Sequence, residues 1–260
     1  MPRQARAKSN SGVYHLMLRG INGQDIFLDR EDRQKFIETL NRYKEKCSYQ
    51  VYGYCLMSNH IHLVLKEGEE ELSLVMKRIG VSYVAWYNFK YERTGHLFQD
   101  RFKSEEIEED QYLLVALRYI HQNPLKAGMV KDISEYEWSS FNDYVSQKKD
   151  LTDLNFVLRI FDSNREKAVK SFNLFMRQAA KDKCLDYDDI SKKRMYDQEV
   201  VRAIQDLTGL SEPELLLSYE KKARDSVLLK LRENGATIRQ LVALTGLGRG
   251  VIERVTRNHR

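Results

Sequence analysis

The stretch YCLMSNHIHLVLK, residues 54–66, sets two imidazoles one residue apart in an otherwise apolar run. The flanking runs are rich in Val, Tyr, Leu and Ile, and Ser58-Asn59 supplies a turn between them, so the segment reads as a β-hairpin. Successive side chains of a strand point to opposite faces. His60 and His62 therefore share one face, with Ile61 and Leu63 on the other, and the pair is suited to gripping one ion or one phosphate. Two ordinary polar residues on a half-solvated strand have the same pattern, so a partner group elsewhere in the chain must decide.

RYIHQNP, residues 118–124, offers that partner. On a helical wheel that starts at Leu113, Leu117 and Ile120 fall within about 40° of it and mark the core side. Tyr119 and Asn123 lie one turn apart on a face flanking that stripe, whereas His121 is about 200° from Tyr119 and points away. Two imidazoles and the Asn123 amide oxygen make a three-ligand site with open positions. Mixed N/O ligation of that kind suits Mg²⁺ or Mn²⁺ held partly by a substrate phosphate, and imidazole leaves Co²⁺ or Zn²⁺ open. Tyr119 is then a candidate nucleophile. A phenol titrates near pH 10, so attack at neutral pH needs a base or a cation's field. With fifteen tyrosines in the chain, most must simply pack.

The elements that position these residues follow from periodicity. Val13–Arg19 reads as a strand, 20–23 as a turn, and Arg30–Cys47 as a helix with Phe36, Ile37, Leu40 and Tyr43 at helical spacing. After the hairpin, a second helix is expected over 71–91, with Leu72, Val75, Met76, Ile79, Tyr83 and Trp86 inward, until Gly95 breaks it. A fourth strand is expected over 97–107. A third helix then runs from Glu109 to about Asn123, because Pro124 disfavours helical geometry in the residue before it. The order βαββαβ predicts an α+β class: a ferredoxin-like split-βαβ antiparallel sheet with two helices on one face. From Asp150 onward the pattern is wholly helical. The expected division is 1–148 for the sheet domain, 149–192 for a helical connector packed through Phe156, Leu158, Phe161, Phe172, Phe175 and Met176, and 193–260 for an all-α C-terminal domain.

At 260 residues, 42% hydrophobic and 31% charged, the chain suits a globular protein with a full core. No apolar run approaches a membrane span, and MPRQARAKSNSG lacks a secretory core, so a cytoplasmic protein with no membrane partner is expected. Cys47, Cys55 and Cys184 have neither CxxC spacing nor an even count, which argues against a disulfide frame or thiolate zinc site. The net charge of +5 is concentrated at the end: ten Lys/Arg face four Asp/Glu over 220–260. A local basic excess marks a surface able to neutralise phosphates.

YCLMSNHIHLVLK and RYIHQNPLKAGMV together resemble the paired signatures of the HUH-type single-tyrosine transposases, the IS200-like and REP-associated group. LRGINGQDIF, GHLFQDRFKS and EWSSF occur in order at family-like spacing, so the resemblance covers about residues 13–144. It implies a metal-dependent endonuclease and transesterase that cleaves and rejoins single-stranded DNA through a 5′-phosphotyrosine, at palindromic repeats or transposon ends. Its metal-binding histidines match His60 and His62, its nucleophile Tyr119 and its third ligand Asn123. It leaves His121 a supporting role. Arg101 and Lys103 are candidate contacts to the DNA backbone. A domesticated DNA-binding protein without turnover, or a related rolling-circle nicking protein, is the alternative reading.

The tail ATIRQLVALTGLGRGVIERVTRNHR places Leu241, Val242, Ile252 and Val255 around a Gly246 turn, as in a helix-turn-helix, with Arg249, Arg254 and Arg257 on or near the second helix. Preceding helices are expected over Asp197–Thr208 and 212–234, the latter capped by Ser211 ahead of Pro213. The region from about Lys193 resembles the duplex-binding domain of the replication initiator DnaA. Single-stranded DNA or hairpins at the sheet domain and adjoining duplex at the tail are the partners this implies, handled by a monomer or a homodimer.

Overall fold

The computed structural model describes residues 7–147, 151–179, 184–185, 195 and 197–257. The chain divides into two compact units, Met1–Asp186 and Tyr187–Arg260. Both boundaries expected from sequence, 148/149 and 192/193, fall outside the described residues.

The first unit is built on four strands: β1 (Val13–Arg19), β2 (Gln50–Leu56), β3 (His60–Lys66) and β4 (Lys103–Ile107), in the order β2-β3-β1-β4, every neighbour antiparallel. Alternation sorts the side chains into two cores. Tyr14, Leu16, Leu18, Ile61, Leu63 and Leu65 face α1 (Arg30–Cys47) and α2 (Leu72–Lys90). Val13, Val64, Cys55 and Ile107 face α3 (Asp110–Lys126), which lies on the opposite side of the sheet. This is the expected split-βαβ sheet with two helices on one face. Asp29 caps α1 through a reciprocal bond with Asp32, and Lys90 at the end of α2 reaches both carboxylates, at 2.7 and 2.9 Å. The far edge of β2 is covered rather than open. Leu56 N–H donates to the Trp138 carbonyl (2.9 Å) and Ser140 N–H to the Tyr54 carbonyl (3.0 Å), which is the structural use of EWSSF.

Three expected elements differ. The strand at 97–107 is interrupted: Phe98 makes a lone bridge to Gly20, the chain bends through 99–101, and β4 starts only at Lys103. The third helix does not stop at Asn123. It passes through Pro124 to Lys126, because the proline removes a single N–H while the buried Ile120 and Pro124 hold the turn in place, and the Asn123 carbonyl still accepts from Ala127 (2.9 Å). In the second unit the helix expected at 212–234 is split into a 3-10 turn, Pro213–Ser218, and α8 (Lys221–Glu233). Tyr219 and Glu220 are extended, and the Glu220 carboxylate starts α8 by accepting from the N–H groups of Lys222 and Ala223. Ser211 is not the cap there; its carbonyl accepts from Gln205.

The stretch read as a connector instead completes the second core of the first unit. After α4 (Phe141–Ser146), α5 (Leu154–Phe161) and α6 (Arg165–Arg177) bury Val157, Leu158, Phe172 and Met176 in the core that holds α3. Gln122 donates to the carbonyls of Met176 (2.8 Å) and Gln178 (2.9 Å) and Arg118 lies over Phe175 (4.3 Å), so α3 is gripped on its outer side as well. In the second unit α7 (Asp197–Thr208), α8, α9 (Ile238–Thr245) and α10 (Arg249–Arg257) enclose Val200, Ile204, Leu228, Leu231, Leu241 and Ile252. Thr237 and Gln240 form a capping box on α9, and Gly246, at φ 69°, ends it in the left-handed region that glycine tolerates.

One glycine sets the depth at which α3 sits. Gly53 follows a bulge in β2, and a Cβ there would lie 2.4 Å from Leu117 Cδ2 and 3.1 Å from Ile120 Cδ1. Gly53→Ala is expected to lower unfolding free energy by roughly 1–3 kcal/mol in urea titrations, because overpacking pushes α3 outward. Gly80→Ala, in α2 with open space around its Cβ, should leave stability unchanged or raise it by up to about 1 kcal/mol.

Candidate functional site

β3 is an inner strand, and His62 on it sits between Met17 of β1 and Cys55 of β2 with no solvent exposure. His60 opens the strand, half-buried, with its ring centroid 5.1 Å from that of His62. Each ring has a specific partner. Asn59 Oδ1 lies 2.6 Å from His60 Nδ1 and can only accept, so His60 Nδ1 donates. His62 Nδ1 lies 3.0 Å from His15 Nε2, while His62 Nε2 is buried with no hydrogen-bond partner among the described residues. Burial first, then the nearby His60 and His15 rings, hold His62 well below the usual histidine range, so it is a neutral imidazole.

Tyr119 comes down from α3 onto this face of the sheet. Its ring centroid is 5.9 Å from His62 and 6.2 Å from His15, and Lys126 Nζ lies 4.6 Å from it. Asn123 follows one turn later, and its Nδ2 is buried without a partner. Nδ2 and Oδ1 exchange on a half-turn of the amide, so this side chain can present the oxygen that a cation takes. Among the described residues no group of three or more His, Cys, Asp or Glu side chains is disposed to hold a metal ion. A cation at His60 and His62 therefore needs an amide or its substrate to complete its shell. The buried His62 nitrogen, the neighbouring His60 ring and the Asn123 amide are groups able to take part in holding a divalent ion together with a phosphate.

His121 lies elsewhere. Its Nε2 is 2.8 Å from Ser140 Oγ, its ring packs among Phe141, Tyr144 and Phe172, and burial lowers its pKa to about 3. Lys103 opens β4 opposite Met17, which is itself opposite His62, so the three form one row across the sheet with Lys103 exposed at its edge. Arg101 is exposed in the bend before β4. Arg249 and Arg254 are exposed on α10 of the second unit, and Arg249 pairs with Glu253 at 2.7 Å; Arg257 is the last residue of that helix.

Sequence reasoning did not find His15, Glu105 or Lys126. His15 is fully buried, and its Nδ1 lies 3.7 Å from Glu105 Oε2. Only the pairing register, in which His15 is opposite both Val64 and Glu105, places it beside His62; its alternation along β1 was visible but its neighbours were not.

Residues 8–123 match the sequence model of the family described as transposase IS200 like. A Haemophilus influenzae protein assigned by name to the REP-associated tyrosine transposases is 25% identical over 120 residues, covering 40% of this chain and 68% of its own length. A solved structure of a REP-associated tyrosine transposase bound to a REP hairpin is 20% identical with a TM-score of 0.49, covering 60% of this chain and 96% of its own. The resemblance carried by the HIH and RYIHQNP segments is borne out over this span. The family match ends short of the second unit.

Truncating His121 tests whether it belongs to the site or to the scaffold. His121→Ala takes one partner from the Ser140 hydroxyl, which still accepts from the Tyr54 N–H at 2.9 Å, and leaves a cavity beside three aromatic rings, so it should cost about 2–4 kcal/mol in denaturant unfolding.

Proposed function

We propose that the first unit is a metal-dependent endonuclease and transesterase for single-stranded DNA, with Tyr119 as nucleophile and His60, His62 and Asn123 as the metal ligands. The observation that carries this reading is the Tyr119 ring packed against His62, whose Nε2 is buried, neutral and unpartnered. Burying such an atom without a partner costs on the order of 1–3 kcal/mol, and a bound cation relieves it. The similarity to IS200-like transposases supports the same assignment.

The chain's residues have separate tasks. His60 and His62 offer two ring nitrogens from a strand fixed on both sides, and Asn123 offers an oxygen from the helix that carries the nucleophile. A divalent ion held there supplies Lewis-acid polarisation of the scissile phosphate, worth several kcal/mol. Tyr119 Oη loses its proton and bonds to phosphorus, the bond to the 3′ oxygen breaks, and that oxygen takes up a proton. A 5′-phosphotyrosine and a free 3′-OH result. Because the phosphotyrosine keeps the phosphodiester's energy, a second 3′-OH reverses the step and joins strands. Lys126 above the phenol ring favours negative charge developing on it. Lys103 at the sheet edge, and Arg101 in the bend before it, are the proposed backbone contacts.

The second unit is proposed to grip adjoining duplex or a hairpin stem. α9 and α10 are joined through Gly246 to Gly248, and α10 displays Arg249 and Arg254 on a surface far more basic than the rest of the chain. Substrates are DNA from palindromic repeats or element ends.

The deciding experiment incubates the chain with single-stranded DNA from its gene's own flanks, with and without Mg²⁺ or Mn²⁺, and scores a denaturation-resistant adduct. Tyr119→Phe should abolish the adduct and keep DNA binding within a few-fold; an adduct that persists in this variant removes Tyr119 from the mechanism. His60→Ala and His62→Ala should each lower the metal-dependent adduct rate by at least two orders of magnitude. For the tail, Arg249→Ala/Arg254→Ala should reduce the slope of log K against log salt for a hairpin by about 1–2, since each phosphate contact contributes about 0.9.

A further inference from the structure

Behind His62 runs a second row of polar groups with no part in the scheme above. His15 Nε2 is 3.0 Å from His62 Nδ1, and His15 Nδ1 is 3.7 Å from Glu105 Oε2. His15 is fully enclosed, while Glu105 keeps about a third of its side chain exposed (34%). The carboxylate is itself held: the Leu185 N–H donates to Oε2 at 3.0 Å, and the Tyr112 hydroxyl bonds to it as well. His15, Tyr112 and Leu185 together keep Glu105 below the usual carboxylate range, so it is charged at neutral pH.

With both rings uncharged, two proton arrangements satisfy the His15–His62 contact, and they have opposite consequences. In one, His15 Nε2–H donates to His62 Nδ1, which puts the His62 proton on Nε2 and closes that atom to a cation. In the other, His62 Nδ1–H donates to His15 Nε2, the His15 proton is on Nδ1, and His62 Nε2 is a lone pair. At 3.7 Å Glu105 is too far for a hydrogen bond from Nδ1, but its charge falls on that side of the ring and favours the proton there. The geometry points to His15 and Glu105 as a positioning pair that fixes His62 in the Nδ1–H tautomer, aiming its Nε2 lone pair at the cation site.

The inference rests on the metal reading proposed above, and it follows the general rule that a ligating imidazole is oriented through its other nitrogen. It also accounts for an otherwise unfavourable feature, an apolar interior in which one histidine is buried against another instead of a leucine. His15 touches neither substrate nor cation. Its effect on catalysis passes entirely through His62.

The test uses the full chain with ¹⁵N-labelled histidine and two independent readouts. Long-range ¹H–¹⁵N spectra of the metal-free protein should show His62 in the Nδ1–H form; an Nε2–H form in the wild type overturns the inference whatever the activity. Glu105→Leu, at the sheet edge where folding is least at risk, should populate the Nε2–H form of His62, and an unchanged tautomer overturns the role of Glu105. Calorimetric titration with Mn²⁺ gives the second readout. His15→Phe should weaken binding ten- to a hundred-fold, while His15→Gln, which returns an acceptor near Nε2, should stay within about threefold of wild type. Equal affinity in His15→Phe and wild type overturns the pair. Absence of Mn²⁺ binding in the wild type removes the metal reading instead, and the tautomer spectra still decide the pair.

Discussion

The seating of α3 on the sheet is the constraint on which the site depends. The histidines belong to β3 and the tyrosine to a helix about sixty residues later, so their relation is set only by how closely that helix approaches the strands. Gly53 permits the approach by leaving room for Leu117 and Ile120, and α4, α5 and α6 press from the other side through Phe141, Phe172 and Met176. His121 and Ser140 add a polar tie at the same level. A helix enclosed in this way has little freedom to tilt, which keeps Tyr119 over His62 without any direct bond between two flexible segments.

This enclosure explains what could and could not be read from sequence. The sheet was legible because alternation survives in β1, β2 and β3, whose two faces meet two different cores. The hairpin, α1 and the expected helix–strand order follow for the same reason. Pro124 misled because a local preference was overridden by packing on both sides of the last turn. The 97–107 strand failed differently: Phe98 and Phe102 fit a strand pattern, but the bend between them breaks the ladder, and only β1's pairing partners reveal it. Phe172 and Met176 carry helical periodicity but no sign of which surface they bury against, so their place in the core that holds α3 was not legible.

Of the residues that the fold brings together, His60, His62 and Tyr119 stood out in the sequence because their types and spacing are chemically uncommon. His15, Glu105 and Lys126 were not. Each is an ordinary residue on its own element, and what distinguishes it is a neighbour fixed by cross-strand register or by helix packing. Register is a property of pairs of strands, and a single strand's sequence does not contain it.

Under the proposed function, the ligand types match the burial of the site. A carboxylate in the position of His62 would lose its hydration with no cation nearby, at a cost of several kcal/mol. An imidazole is neutral there, as the downward shift of His62 shows, and can be enclosed at modest cost before any ion arrives. In that reading the ligand set has a second effect: imidazoles and an amide, bound through lone pairs, would cancel none of a divalent ion's charge. Under the proposed function, that charge falls undiminished on the scissile phosphate and on the developing phenolate of Tyr119. The carboxylate in this row, Glu105, is separated from His62 by the His15 ring, so in that reading it would orient protons without ligating the ion. The burial that keeps His62 neutral would thus also bear on the strength of the field such a site can hold.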